Sequence, residues 1–127
     1  VHPNSARAVE LIRAGVGIFA HFTAMKGATR NRVGGKDQAV FDRLGDYDKA
    51  RHGRADAAHA QAMPAEFIKR FAIVGSVDHC VTHLRKVLAT GIDRVVLIGP
   101  RADQFGNEAR DAMHALANEV LPRVRVP

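Results

Sequence analysis

The stretch from Phe71 to Pro100, FAIVGSVDHCVTHLRKVLATGIDRVVLIGP, constrains the fold more than any other part of the chain. Phe71 to Val74 is a short apolar run closed by Gly75, and Ser76 then offers a side-chain oxygen to the first free N–H groups of a helix. Val77, Cys80, Val81, Leu84, Val87 and Leu88 recur at helical spacing, while Asp78, His79, Thr82, His83, Arg85 and Lys86 fill the opposite face. Gly91 supplies a left-handed residue to end this helix. Val95 to Ile98 is an unbroken apolar run of the kind found in strands covered on both faces. The spacing predicts a βαβ unit with parallel strands.

With 127 residues and 46% hydrophobic content the chain suffices for one modest domain. Two parallel strands leave unpaired edges, however, and the sequence opens at Val1 inside what reads as a helix entry. The expectation is a fragment of a longer protein. The lone Cys80 lies on the apolar stripe, so no disulfide framework exists; a buried, inert thiol and a reducing cytoplasm follow. No signal peptide is visible, and the longest run of apolar and glycine residues, Ala14 to Ala20, is too short to span a bilayer, which predicts a soluble protein.

Residues 4 to 25 read as one helix with Asn4 or Ser5 as cap. Ala8, Val9, Leu11, Ile12, Val16, Phe19 and Phe22 form its apolar side, and Arg7, Glu10 and Arg13 its polar side. Beyond Ala14 the polar face almost vanishes, which predicts a buried second half, with Gly15 and Gly17 admitting a close neighbour. His21 sits in this half; a hydrogen-bonded core histidine is the favoured reading and a catalytic or ligand-binding one the alternative. Gly27 to Gly35 is a loop whose cations, with Lys26 and Arg30 foremost, are candidates for an anionic substrate. Residues 38 to 51 are weakly helical, 54 to 61 alanine-rich, and Pro64 opens a short helix over 65 to 70. Tyr47, Asp48 and His52 have the spacing of an acid–base cluster as well as of an ordinary surface. The last helix begins near Phe105, carries the stripe Phe105, Ala109, Ala112, Leu116 and Val120, and is stopped by Pro122. Strand, helix, strand, helix is the rhythm of an α/β barrel or doubly wound sheet.

The net charge of +6 is concentrated between Lys26 and Arg54, where eight Lys and Arg meet four Asp. Only Phe41 and Tyr47 are aromatic there, which disfavours nucleic acid and leaves a solvated surface or a small phosphorylated ligand. His79 and His83 have ligand spacing on a helix but no third partner, so no metal site is expected. No GxSxG, P-loop or GxGxxG is present. Gly75 and Ser76, and Gly99, Pro100 and Arg101, follow the two predicted strands, where parallel α/β folds bind ligands, and the helix behind Ser76 offers N–H groups to an anion.

The ordered set Phe-Ala-Ile-Val-Gly, helix, Gly-Ile-Asp, apolar strand, Gly-Pro, with Glu119-Val120-Leu121-Pro122 at the end, resembles the carboxyl end of the luciferase-like monooxygenase family. The nearest look is to its methylenetetrahydromethanopterin reductase-like members, which carry segments similar to Tyr47-Asp48 through His52-Gly53. This resemblance implies the last two strands of a (β/α)8 TIM barrel, with residues 1–63 as helix and helical insertion and 64–127 as the last βαβα unit. It implies an oxidoreductase that passes hydride between a deazaflavin coenzyme (F-420), or alternatively FMN, and an organic substrate. Gly75, Ser76, Gly99, Pro100 and Arg101 are then candidates for the cofactor mouth, and His21, Lys26 and Arg30 for substrate or anion contacts. The catalytic residues would lie upstream, the missing amino-terminal part would be the principal partner, and the fragment alone would be inactive. The rival from another class is a free-standing basic binding module for nucleic acid or another anion. A third reading is a homodimer built on the apolar half of the first helix.

Overall fold

The computed structural model describes residues 1–29 and 32–124 and is 69% helical. Its helices are α1 (Ser5–Ala24), α2 (Gly35–Arg43), α3 (Ala58–Gln61), α4 (Ala65–Phe71), α5 (Val77–Leu88), α6 (Ala102–Ala115) and α7 (Leu121–Val124). Tight turns at Met25–Gly27, Leu44–Asp46 and Lys49–Arg51 lie between the early helices. The chain forms two compact units, Val1–Leu11 with Ile73–Pro127, and Ile12–Ala72.

In the first unit α1 and α5 start where a side chain replaces a missing backbone partner. Asn4 Oδ1 accepts from the Arg7 N–H at 3.0 Å, and Ser76 Oγ from the His79 N–H at 3.4 Å. α5 buries Cys80, Val81 and Leu84 against Val120 and Val124, with Ile73, Leu88 and Leu97 around them. Each such side chain contributes about 1.5–3 kcal/mol on leaving water. Pro122 does not stop the last helix. Its ring would clash with the carbonyl four residues back, and the chain widens into a π turn over Leu116–Val120, closed by the Leu121 N–H on the Leu116 carbonyl, so helix resumes as α7. The Arg85 guanidinium then donates to the orphaned Arg123 carbonyl at 2.7 and 3.2 Å.

In the second unit Phe41, Phe67 and Phe71 meet at ring separations of 5.3 to 6.3 Å and link α2 to α4. Arg13, expected on the wet side of α1, is only 7% exposed. Its Nη1 donates to the carbonyls of Ala60 at 3.2 Å and Met63 at 2.6 Å, which closes the end of α3. Gly17 is the close-approach glycine: a Cβ there would meet Met63 Cε at 3.3 Å and His59 Cδ2 at 3.7 Å, whereas one at Gly15 would meet nothing within 4 Å. The second half of α1 buries Val16 and Ala20 but leaves Phe19 and Phe22 exposed, against expectation. Ser5–Gly27 is long and apolar enough to cross a membrane by length and composition, although 44% of the relevant window is buried by the protein itself. Counting uninterrupted apolar residues does not anticipate this.

The structure overturns the α/β reading. Among the described residues there is no β-strand, hence neither a parallel pair nor a portion of a TIM barrel. Phe71 is the last residue of α4, and of Ala72 to Gly75 only the Gly75 carbonyl takes part in a bridge to another segment, accepting from His2 N–H at 2.8 Å. Val95 to Ile98 has no regular structure; Val96 is 85% and Ile98 63% exposed, while Leu97 packs on the core. The reason is physical: an apolar run encodes a preference for burial, but a strand forms only where a neighbouring backbone takes its N–H and C=O groups. Ile73 and Leu97 pack against the same core cluster, but among the described residues no backbone hydrogen bond joins the two runs.

Replacing Arg13 by Leu should cost about 2–3 kcal/mol, since two buried carbonyls lose their donor, whereas Gly15→Ala should add about 0.5–1 kcal/mol. Gly17→Val should destabilise. Urea unfolding of the three variants checks the order.

Candidate functional site

The residues that chemistry can use gather in the second unit around Tyr47. α1 places His21 so that its Nδ1–H donates to the Leu44 carbonyl at 2.9 Å, which leaves a lone pair on Nε2 of the neutral ring. The His21 ring stacks on Tyr47 at 4.2 Å. The turns that follow α2 carry the chain from Leu44 to Gly53; Asp48 Oδ1 caps the second of them through the Ala50 N–H at 2.9 Å, and Gly53, with φ +71°, turns the chain where other residues would be strained. This brings Tyr47 Oη to 2.7 Å from His52 Nδ1. The Gly53 N–H donates to the same oxygen, and the phenol donates to His52 Nδ1 in the tautomer that carries its ring proton on Nε2. α3 contributes His59, whose ring lies 4.0 Å from that of Tyr47. His59 is 6% exposed and its Nδ1 has no hydrogen-bond partner.

Burial disfavours the charged forms of two of these groups, Tyr47 and His59. Burial pushes the Tyr47 phenol up from 10.0, opposed by the Gly53 N–H. Burial pushes His59 down from 6.5; the Asp48 carboxylate opposes this, and His21 and His52 add to it. A phenol bonded to an imidazole, one of whose ring nitrogens is then free to exchange protons with water, can take up or release a proton. Among the described residues no group of three or more His, Cys, Asp or Glu is placed to hold a metal ion.

Of the residues singled out from sequence, the fold brings together His21, Tyr47 and His52. His59 was missed: its neighbours Ala57, Ala58 and Ala60 signal helix propensity alone, and nothing in their spacing marks the histidine. Lys26 is exposed at φ +58°, and Arg30 lies outside the described residues. No protein family, curated protein or solved structure matches the chain.

The other candidates lie in the first unit. Gly75 takes φ +148°, and the Ser76 side chain is committed to its helix. Beside Ser76 is a cleft of about 520 Å³ lined by His2, Asp78, Glu108, Asp111 and Glu119. Arg7 grips Glu108 at 2.5 and 2.6 Å, Arg123 pairs with Asp78 at 2.7 Å, and Asp111 and Glu119 add further negative charge. Asp111 and Glu119 on this wall disfavour a phosphate group there, even at a helix N-terminus. Gly99 packs on Met113, and Arg101 is paired with Asp103 at 2.8 Å. Cys80 donates to the Gly75 carbonyl at 3.7 Å, and burial raises its pKa, as for an inert thiol. On α5 the His79 and His83 rings stack at 4.3 Å.

The Arg7 hydrogen bond holds the Glu108 carboxyl below its ordinary 4.5. A carboxylate with a lowered folded pKa stabilises above its unfolded pKa and loses that contribution as pH falls through the folded value. Urea midpoints of Glu108→Gln should therefore fall below wild type near neutral pH and converge with it in acid, below the usual carboxylate range.

Proposed function

We propose that the chain is part of an oxidoreductase acting on a small organic substrate and that Tyr47 and His52 are its proton-transfer pair. The 2.7 Å contact between Tyr47 Oη and His52 Nδ1 carries the reading; the resemblance of the sequence to the luciferase-like family supplies the redox class. A deazaflavin or FMN would provide the hydride. The carboxylate-lined cleft beside Ser76 does not suit either coenzyme, so the reading assigns its grip to residues outside this chain, in an amino-terminal part of the same polypeptide.

The work of this chain is then protonic. A substrate oxyanion takes the proton of Tyr47 Oη; Oη takes one from His52 Nδ1 when that imidazole is charged; His52, exposed, is recharged from water. In the reverse direction neutral His52 accepts the phenolic proton. The Gly53 N–H stabilises the oxygen while it is ionised. His21, with its tautomer set by the Leu44 carbonyl, offers Nε2 as an acceptor beside the ring.

The basic-module reading has less support. Arg51 and Arg54 share the single carboxylate of Asp56, Phe41 is buried, and Tyr47 is flanked by histidines, so no aromatic platform stands among these cations.

The test is flavin and deazaflavin titration, followed by fluorescence, of this chain and of a version extended through the sequence upstream of Val1. Binding by the extended protein is expected, with Tyr47→Phe lowering its turnover about 10²-fold or more while leaving cofactor affinity unchanged. Failure of both proteins to bind either cofactor, or full turnover in Tyr47→Phe, contradicts the proposal.

A further inference from the structure

We propose that His59 is a positioning residue: its neutral ring holds Tyr47 as a donor to His52, and protonation at Nδ1 drives His59 out of the protein and releases Tyr47. This rests on the proton-transfer reading of the Tyr47 site.

His59 is 6% exposed, and Nδ1 is buried without a hydrogen-bond partner. A lone pair with no donor is tolerable there. A proton at the same atom adds a buried N–H with no acceptor and a full positive charge, and both are costly away from water. The neutral ring therefore carries its proton on Nε2.

The surroundings are ill suited to a second positive charge. From the segment following α2 the ring meets Tyr47 at 4.0 Å and feels Asp48 and His52; from α1 it feels His21 and packs against Gly17. Arg13 of α1 is tied to the carbonyl of the next residue, Ala60. The Asp48 carboxylate favours a proton on His59, while His21 and His52 oppose it. Burial lowers the pKa of His59, in keeping with a ring that stays neutral.

The close packing that disfavours the proton also transmits its effect. His59 covers one side of the Tyr47 ring, so removing it opens the phenol to water and loosens the hold on its oxygen. Above the ordinary histidine range the pair is set for proton transfer; in acid it is dismantled. The unfolded chain takes up the His59 proton from pH 6.5 downward while the folded one resists, so this contribution to stability is complete above 6.5 and declines as the pH falls.

The chain contains one Tyr and no Trp, so its tyrosine fluorescence reports on Tyr47 alone. In the wild type the emission should change in one step on acidification below pH 6.5. The step should vanish in His59→Phe, which keeps a ring but cannot titrate, and persist in His21→Gln and His52→Gln. A step unchanged in His59→Phe overturns the proposal. Should that variant fail to fold, histidine ring NMR of the wild type decides. His59 must remain neutral, with its proton on Nε2, down to the pH of the fluorescence step; a charged His59 beside an undisturbed Tyr47 overturns the assignment. None of these readouts depends on turnover, so loss of the switch leaves the donor role of Tyr47, tested by Tyr47→Phe kinetics, standing or falling separately.

Discussion

The second unit depends on two hydrogen bonds made by one buried guanidinium. Arg13 donates to the carbonyls of Ala60 and Met63, at and just beyond the end of the short helix α3. A buried cation of this kind is tolerated only while its donors are used, so the bonds fix the segment after Ala57 against α1. Gly17 lets the backbone come near enough for Met63 and His59 to touch the helix. His59 then reaches Tyr47, and His21, two turns beyond Arg13, reaches it from α1. One buried polar side chain of α1 thus helps set where the aromatic and imidazole rings converge.

Charge is distributed unevenly. The chain carries +6, yet burial disfavours charge on Tyr47 and His59, and four carboxylate residues line the cleft in the first unit. Several cations are spent on local ion pairs, Arg7 with Glu108, Arg70 with Asp37 and Arg123 with Asp78 among them. Such exposed pairs contribute little to stability individually. Their consequence is for recognition: the net charge overstates the positive surface presented to an anion.

What the sequence made legible were features decided within a few residues. Asn4 and Ser76 cap helices where their side chains suggested, Gly17 admits a close neighbour, and the Tyr47–His52 spacing closes into a hydrogen bond. What it hid depends on partners distant in the chain. Val95 to Ile98 carries the composition of a strand, but composition cannot supply the backbone that a strand pairs with. Arg13 sits at a wet-face position of α1, and the carbonyls of residues 60 and 63, distant in sequence, accept its hydrogen bonds in the interior. His59 lacked any periodic signal, and Pro122 read as a stop because a π turn is not encoded by hydrophobic spacing.

The most direct test of the proton-transfer pair is the nitrogen-15 spectrum of the His52 ring at neutral pH, together with the hydroxyl proton of the single tyrosine. The structure predicts Nδ1 as a hydrogen-bonded acceptor, the ring proton on Nε2, and a Tyr47 hydroxyl proton slow enough in exchange to be seen coupled to Nδ1. A ring proton on Nδ1, with a tyrosine hydroxyl that exchanges freely with water, would contradict it.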